Sequence, residues 1–135
     1  RTCARLSLME LTTSLNYLAW TSALCIVLWL PYVLERITSQ GLIPVLSYEE
    51  SDAEPAKWAQ RAHRAHLNLL ENLPPFAALV LIANLTEVGV GGAAAVFFWA
   101  RVAHAIVHIA GIPYLRTAAF FVSWLALLSI FFQVI

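Results

Sequence analysis

The chain has 135 residues, of which 61% are hydrophobic and 12% are charged, and its mean hydropathy is +0.75. Soluble domains are roughly half apolar and a quarter charged, so this composition excludes an ordinary water-soluble fold and requires lipid. Eight basic and eight acidic residues cancel, so no net field attracts nucleic acid or an anionic surface. Any electrostatic function must therefore be local.

Apolar windows of about 18–20 residues, long enough to cross a bilayer, predict four transmembrane helices within a single domain over residues 1–135. The windows cover approximately residues 16–34, 64–85, 92–112 and 117–135. The predicted fold class is therefore an all-α integral membrane four-helix bundle. The first window is too long for a signal-peptide core and is expected to be a retained helix. Pro74 and Pro75 predict a kink in the second helix, and Pro31 could bend the end of the first.

A polar loop of residues 35–60, with an acidic run at residues 49–54, separates the first two windows. Two arginines precede the first window, whereas five basic residues flank the opposite ends of the windows: Arg36, Lys57, Arg61, Arg64 and Arg116. Basic residues concentrate on the cytoplasmic side of membrane proteins. We therefore expect the long loop and the turn before the fourth helix to face the cytoplasm, with both termini on the far side.

The second window begins with a polar face. Arg61, Arg64, Asn68 and Glu71 are separated by three or four residues, so their side chains share one side of a helix. A charged residue inside a membrane helix costs about 2.5–3.5 kcal/mol even on the most lenient insertion scale. We therefore expect Glu71 to point into the bundle and to have a partner.

The third window carries Arg101, His104 and His108 on one stripe of an otherwise apolar helix. A contact between Arg101 and Glu71 is the natural prediction, either as an ion pair that fixes helix register or as part of a substrate site. The two histidines are spaced to hold a metal ion from one helix face. A third ligand is not obvious, so hydrogen-bonded core histidines are the default interpretation and no metal is expected.

Arg116 and Thr117 place a guanidinium and a hydroxyl close to the N-terminus of the fourth helix. Unsatisfied backbone N–H groups, the helix dipole and an arginine together stabilise an anion or a thiolate. The alternative is an interfacial arginine that reaches the lipid headgroups. Spacing alone favours this alternative.

These patterns resemble the MAPEG family, the membrane-associated proteins in eicosanoid and glutathione metabolism. The likeness covers nearly the whole chain and is carried by Arg61, Arg64-x-His66-x-Asn68-x-x-Glu71-Asn72 and Pro75-Phe76 in the second helix, Arg101-Val-Ala-His104 in the third, and Pro113-x-x-Arg116-Thr117 before the fourth. The resemblance implies a homotrimer with a glutathione site at each subunit interface near the cytoplasmic face. The reactions it implies are glutathione conjugation to lipophilic electrophiles, peroxide reduction and isomerisation.

The resemblance also assigns roles residue by residue. It implies that Glu71 reads the amino group of glutathione, that Arg116 is the catalytic residue that stabilises its thiolate, and that Arg36 reaches one of its carboxylates. The complete set implied to bind or support glutathione is Arg36, Asn68, Glu71, Arg101, His104, His108 and Thr117. The partners it implies are membrane lipid and a lipophilic small-molecule substrate, and its bacterial members are the most similar, which indicates an inner membrane.

Three positions depart from the family pattern. His108 stands where the family usually has tyrosine, Phe120 is near a tyrosine of some synthases, and Leu67 replaces a basic residue of some members. Two hypotheses therefore stay open. The chain is a glutathione-dependent transferase or peroxidase, or it is a noncatalytic membrane protein that serves as an accessory or structural subunit with membrane protein partners.

Overall fold

The structure, a computed structural model, describes residues 12–47 and 53–135. Its elements are helices: α1 Thr13–Gln40, α2 Leu42–Leu46, α3 Lys57–Leu85, α4 Gly91–Ala110 and α5 Pro113–Val134. The four long helices are each long and apolar enough to cross a membrane. The predicted all-α membrane fold is thereby confirmed. Residues 49–52 of the predicted acidic run lie outside the described residues.

The helices extend beyond the apolar windows into polar sequence. α1 continues to Gln40, so the first part of the predicted loop is helical. α3 begins at Lys57, seven residues before the predicted start at residue 64, and α5 begins at Pro113 instead of residue 117. Polar residues continue a helix because its hydrogen bonds are made by the backbone. As a result Arg61 lies inside α3 and Arg116 lies in the first turn of α5.

Internal prolines do not divide the helices. α3 runs continuously through Pro74 and Pro75, and α1 runs through Pro31. A proline within a helix removes one hydrogen bond to the carbonyl four residues before it, and a membrane bundle tolerates this loss where neighbouring helices pack against the segment. The polar start and the apolar end of α3 therefore belong to a single helix.

The four long helices pack with α3 and α4 in the middle. α1 contacts α3 and α4 on one side, and α5 contacts the same two helices on the other. Polar side chains connect α1 with α3. The Tyr32 hydroxyl lies 2.9 Å from His66 Nδ1, and Cys25 Sγ lies 3.7 Å from His66 Nε2. The ring of Tyr32 also packs on His63 with centroids 4.6 Å apart.

The main apolar core occupies one end of the bundle. Phe76 of α3 stacks on Phe97 of α4 with ring centroids 4.0 Å apart. The buried residues around this pair come from the end of α3, the start of α4 and the end of α5: Val80, Ala83, Val90, Ala94, Ala126, Leu127 and Ile130. Because consecutive long helices run in opposite directions, the start of α3, the end of α4 and the start of α5 meet at the other end. The ionisable residues are concentrated there.

The turn between α4 and α5 is tied to α3. Gly111 ends α4 with φ of 83°, a left-handed conformation that glycine adopts without a steric penalty. Arg61 Nε donates a hydrogen bond of 3.0 Å to the carbonyl of Ile109. A Cβ atom on Gly111 would lie 3.2 Å from Arg61 Cζ, so the guanidinium rests directly on the turn. Arg61 therefore fixes the start of α5 relative to α3.

Two adjacent glycines at the start of α4 allow a test of the packing between α1 and α4. A Cβ atom at Gly91 would lie 3.0 Å from Thr13 Cβ, whereas one at Gly92 would have no heavy atom within 4 Å. Alanine raises helix propensity equally at both positions, by about 1 kcal/mol. We expect Gly92→Ala to raise the melting temperature in detergent and Gly91→Ala to lose that gain, because overpacking costs about 1–3 kcal/mol. Equal melting temperatures for the two variants would contradict the close contact between α1 and α4.

Candidate functional site

A buried arginine connects α3 and α4 at the polar end of the bundle. Arg101 is 1% exposed, and its Nη2 donates a hydrogen bond to Asn68 Oδ1 at 2.5 Å. The expected contact between Arg101 and Glu71 is wrong: Asn68 takes the guanidinium, and Glu71 is exposed on α3. Glu71 follows Asn68 by three residues and so lies on the same broad face of the helix, but the rotation of α3 brings only Asn68 against α4.

A cavity of about 450 Å³ opens between α3, α4 and α5 beside this hydrogen bond. Most of the predicted site residues line it: Asn68, Glu71, His104, His108, Arg116 and Thr117. Arg101 is not among the lining residues, but it donates a hydrogen bond to Asn68, which is. The apolar departures Leu67 and Phe120 also line the cavity, so the positions that differ from the family pattern belong to the same site.

The two histidines of α4 form the floor of the cavity. His104 and His108 are 3% and 7% exposed, and their rings meet edge to face with centroids 5.2 Å apart. Neither ring nitrogen of His108 has a hydrogen-bond partner, and the same is true of Nε and Nη1 of Arg101. A buried polar group without a partner costs about 1–3 kcal/mol. The ring nitrogens of His108, which lines the cavity, therefore favour a polar ligand that enters it and bonds to them.

The charges around the cavity are of both signs. Arg64 and Arg116 contribute guanidinium groups, and Glu71 is the one carboxylate among the described residues that line it. The Thr117 hydroxyl donates to the Pro113 carbonyl at 3.3 Å, which leaves its oxygen as an acceptor. The arrangement can bind a molecule that carries both an ammonium group and anionic groups.

Arg36 lies apart from this group. It lines a neighbouring cavity of about 500 Å³ between the end of α1 and the start of α3, together with Tyr32 and His63. Within one subunit, Arg36 is therefore not brought together with Arg116, and its contact with glutathione stays a prediction. Arg64 lines both cavities. Arg64 stands four residues before Asn68, and this spacing, which places both on one face of α3, was the sequence feature that indicated a role in the site.

Comparison with known proteins gives one result. The sequence model of the MAPEG family matches residues 15–135, a range that contains every residue lining the cavity. No curated protein and no solved structure matches the chain. The family match and the geometry of the cavity together therefore support an inference about function.

Asn68 is the residue on which the buried guanidinium depends. We expect Asn68→Leu to destabilise the protein by about 1.5–3 kcal/mol, because a hydrogen bond to a charged group is lost and Arg101 stays buried. Asn72→Leu is the matched control, since the Asn72 amide donates only to the Asn68 carbonyl of its own helix, at 2.8 Å. Thermal unfolding in detergent measures both variants. Equal losses of stability in the two variants would show that the hydrogen bond between Arg101 and Asn68 contributes less to the free energy of unfolding than we expect.

Proposed function

Because the chain belongs to the MAPEG family, we propose that this multi-pass membrane protein is a glutathione-dependent transferase or peroxidase that acts on lipophilic electrophiles. The observation that carries the proposal is the cavity between α3, α4 and α5, in which five residues of the predicted glutathione-binding set meet Arg116. Its volume of about 450 Å³ falls within the usual range for small-molecule sites, about 300–1,000 Å³.

The lining fits the chemistry of glutathione. Glutathione carries one ammonium group, two carboxylates, amide groups and a thiol, and the cavity offers a partner for each kind. Glu71 accepts hydrogen bonds from the ammonium group, Arg64 pairs with a carboxylate, and His108 supplies a ring N–H to a carbonyl or carboxylate oxygen. Asn68 keeps its amide nitrogen available for a further acceptor, because only its oxygen is used by Arg101.

Arg116 is the residue proposed to act on the sulfur. When bound, glutathione supplies a thiolate nucleophile for conjugation or for peroxide reduction. Arg116 lies in the first turn of α5, where no side chain caps the helix N-terminus. The guanidinium and the positive end of the helix dipole both favour a negative charge at this place. Arg116 thereby holds the nucleophile ionised and oriented toward an electrophile that arrives from the lipid.

We further propose that the protein works as a homotrimer. Glu71 lies exposed on the surface of α3, within a segment long and apolar enough to span the membrane. Exposing a carboxylate to lipid is costly, and packing a second subunit against this face of α3 removes that cost and encloses the cavity. The proposed orientation has the cavity toward the cytoplasm, where glutathione is available, in a bacterial inner membrane.

Titration of glutathione into the purified protein tests the proposal. We expect Glu71→Ala and Arg116→Ala each to weaken glutathione binding about tenfold or more, because each variant removes a charge-assisted contact. Lys57→Ala is the control, since Lys57 is a basic residue at the start of α3 that lines neither cavity. Absence of binding by the wild type at millimolar glutathione would overturn the proposal.

His108 gives a second test of the same site. We expect His108→Tyr to keep glutathione binding, because the phenol hydroxyl replaces the imidazole N–H as a donor. His108→Phe preserves ring volume but removes the donor, and we expect it to weaken binding about tenfold. Calorimetric titration of both variants provides the comparison. Equal affinity of His108→Phe and the wild type would show that His108 contributes packing alone.

The noncatalytic alternative has its own supporting observation. Leu67 and Phe120 place apolar side chains in the wall of the cavity, where they can make no polar contact to glutathione. An accessory membrane subunit could keep the fold with such a cavity. Turnover with lipophilic test electrophiles distinguishes the two functions, because glutathione binding without turnover supports the accessory subunit.

A further inference from the structure

A second and smaller pocket lies under the turn between α4 and α5. Its volume is about 120 Å³, and it is lined by Arg61, His108, Gly111, Ile112, Pro113 and Arg116. It shares His108 and Arg116 with the larger cavity, but Arg61 and the turn residues line only the small pocket. The pocket lies where α4 ends and α5 begins, at one end of two membrane-spanning helices. The ends of membrane-spanning helices are expected at the level of the lipid headgroups.

The charged groups that line the small pocket are both guanidinium groups, those of Arg61 and Arg116. Arg61 is held in place by its Nε bond to Ile109, and its two Nη groups have no hydrogen-bond acceptor within the described ranges. α5 begins at this pocket with no side-chain cap, and because the Arg116 N–H already bonds the Ile112 carbonyl, the helix contributes the positive end of its dipole. Fixed donors of this kind, at the positive end of a long helix, form a site for an anion.

His108 provides a second observation that points to a ligand in the small pocket. The side chain is 7% exposed and lines the pocket, yet both of its ring nitrogens are without a partner. Two guanidinium groups, those of Arg61 and Arg116, line the pocket together with this ring. No acidic residue is among the described residues that line the pocket. Two guanidinium groups without a carboxylate in the same lining favour a counter-anion in a membrane-spanning bundle.

We propose that the small pocket binds an oxyanion, a phosphate group held by Arg61, Arg116 and His108 at the N-terminus of α5. Its size accommodates one phosphate group and excludes a peptide such as glutathione. The phosphate has two possible sources, the headgroup of an anionic phospholipid and free phosphate from the aqueous side. Exposed apolar residues at the turn, Ile112, Tyr114 and Leu115, offer a surface for the acyl chains of a lipid.

The pocket adjoins the proposed glutathione site and shares His108 and Arg116 with it, but phosphate binding does not depend on that proposal. An anion bound at His108 and Arg116 also orients these two residues from behind the larger cavity. The phosphate therefore acts as a positioning group for the glutathione site if that site is used. Binding of phosphate can be measured without glutathione, so the two proposals can fail separately.

The experiment measures binding of fluorescently labelled phosphatidic acid and labelled phosphatidylcholine to the delipidated full chain in a nonionic detergent at low salt. Arg61→Met and Arg64→Met form the matched pair, because Arg61 lines the small pocket and Arg64 lines only the larger cavities. We expect the wild type to prefer phosphatidic acid. We expect Arg61→Met to lower its affinity for phosphatidic acid about tenfold and Arg64→Met to leave it unchanged.

Competition by inorganic phosphate identifies the source. If phosphate displaces the lipid and binds with similar affinity, the pocket takes a free oxyanion; if phosphate does not compete, the lipid headgroup is the ligand. Arg61→Lys keeps the charge and covers the case in which Arg61→Met fails to fold, and we expect its affinity to be intermediate. The proposal is overturned if the wild type shows neither preference for phosphatidic acid nor binding of phosphate. It is also overturned if Arg64→Met loses binding while Arg61→Met keeps it.

Discussion

The hydrogen bond from Arg101 to Asn68 holds α3 and α4 together at the level where both helices carry charge. The guanidinium is almost fully buried, and a buried cation in a membrane bundle is stable only when its partner is correctly placed. This requirement fixes how α3 is rotated and translated against α4. With Asn68 turned toward Arg101, the adjoining face of α3 presents Arg64 and Glu71 to the space between α3, α4 and α5, where the main cavity forms.

The bundle separates an apolar end from a polar end. Around Phe76 and Phe97 the helices pack through aliphatic and aromatic side chains, whereas at the opposite end the ionisable residues surround cavities. Lipid cannot satisfy charged groups, so we expect the ionisable end of the bundle to lie near a membrane surface, where water and headgroups are within reach. A site at this level can receive a water-soluble co-substrate from one phase and an apolar substrate from the other.

His108 and Arg116 belong to two pockets at once. The larger cavity has groups of both charges and suits a zwitterionic peptide, while the smaller pocket has two guanidinium groups and no carboxylate among its described lining residues and suits a compact anion. Arg61 separates the two functions because it reaches only the smaller pocket, and it also holds the turn through Ile109. His108, which stands where the family usually has tyrosine, lines both pockets, and a neutral imidazole has a donor on one ring nitrogen and an acceptor on the other.

Composition and helical periodicity alone determine that the chain is a four-helix membrane protein, and they place Asn68 and Glu71 on one helix face. They do not determine which of the two meets Arg101, because that depends on how α3 is rotated against α4, and the rotation results from packing along the whole bundle. The family resemblance added Arg36 to the site, and within one subunit the tertiary structure places it in a neighbouring cavity. The role of Arg61 at the turn also required the structure, since its acceptor lies 48 positions away along the chain.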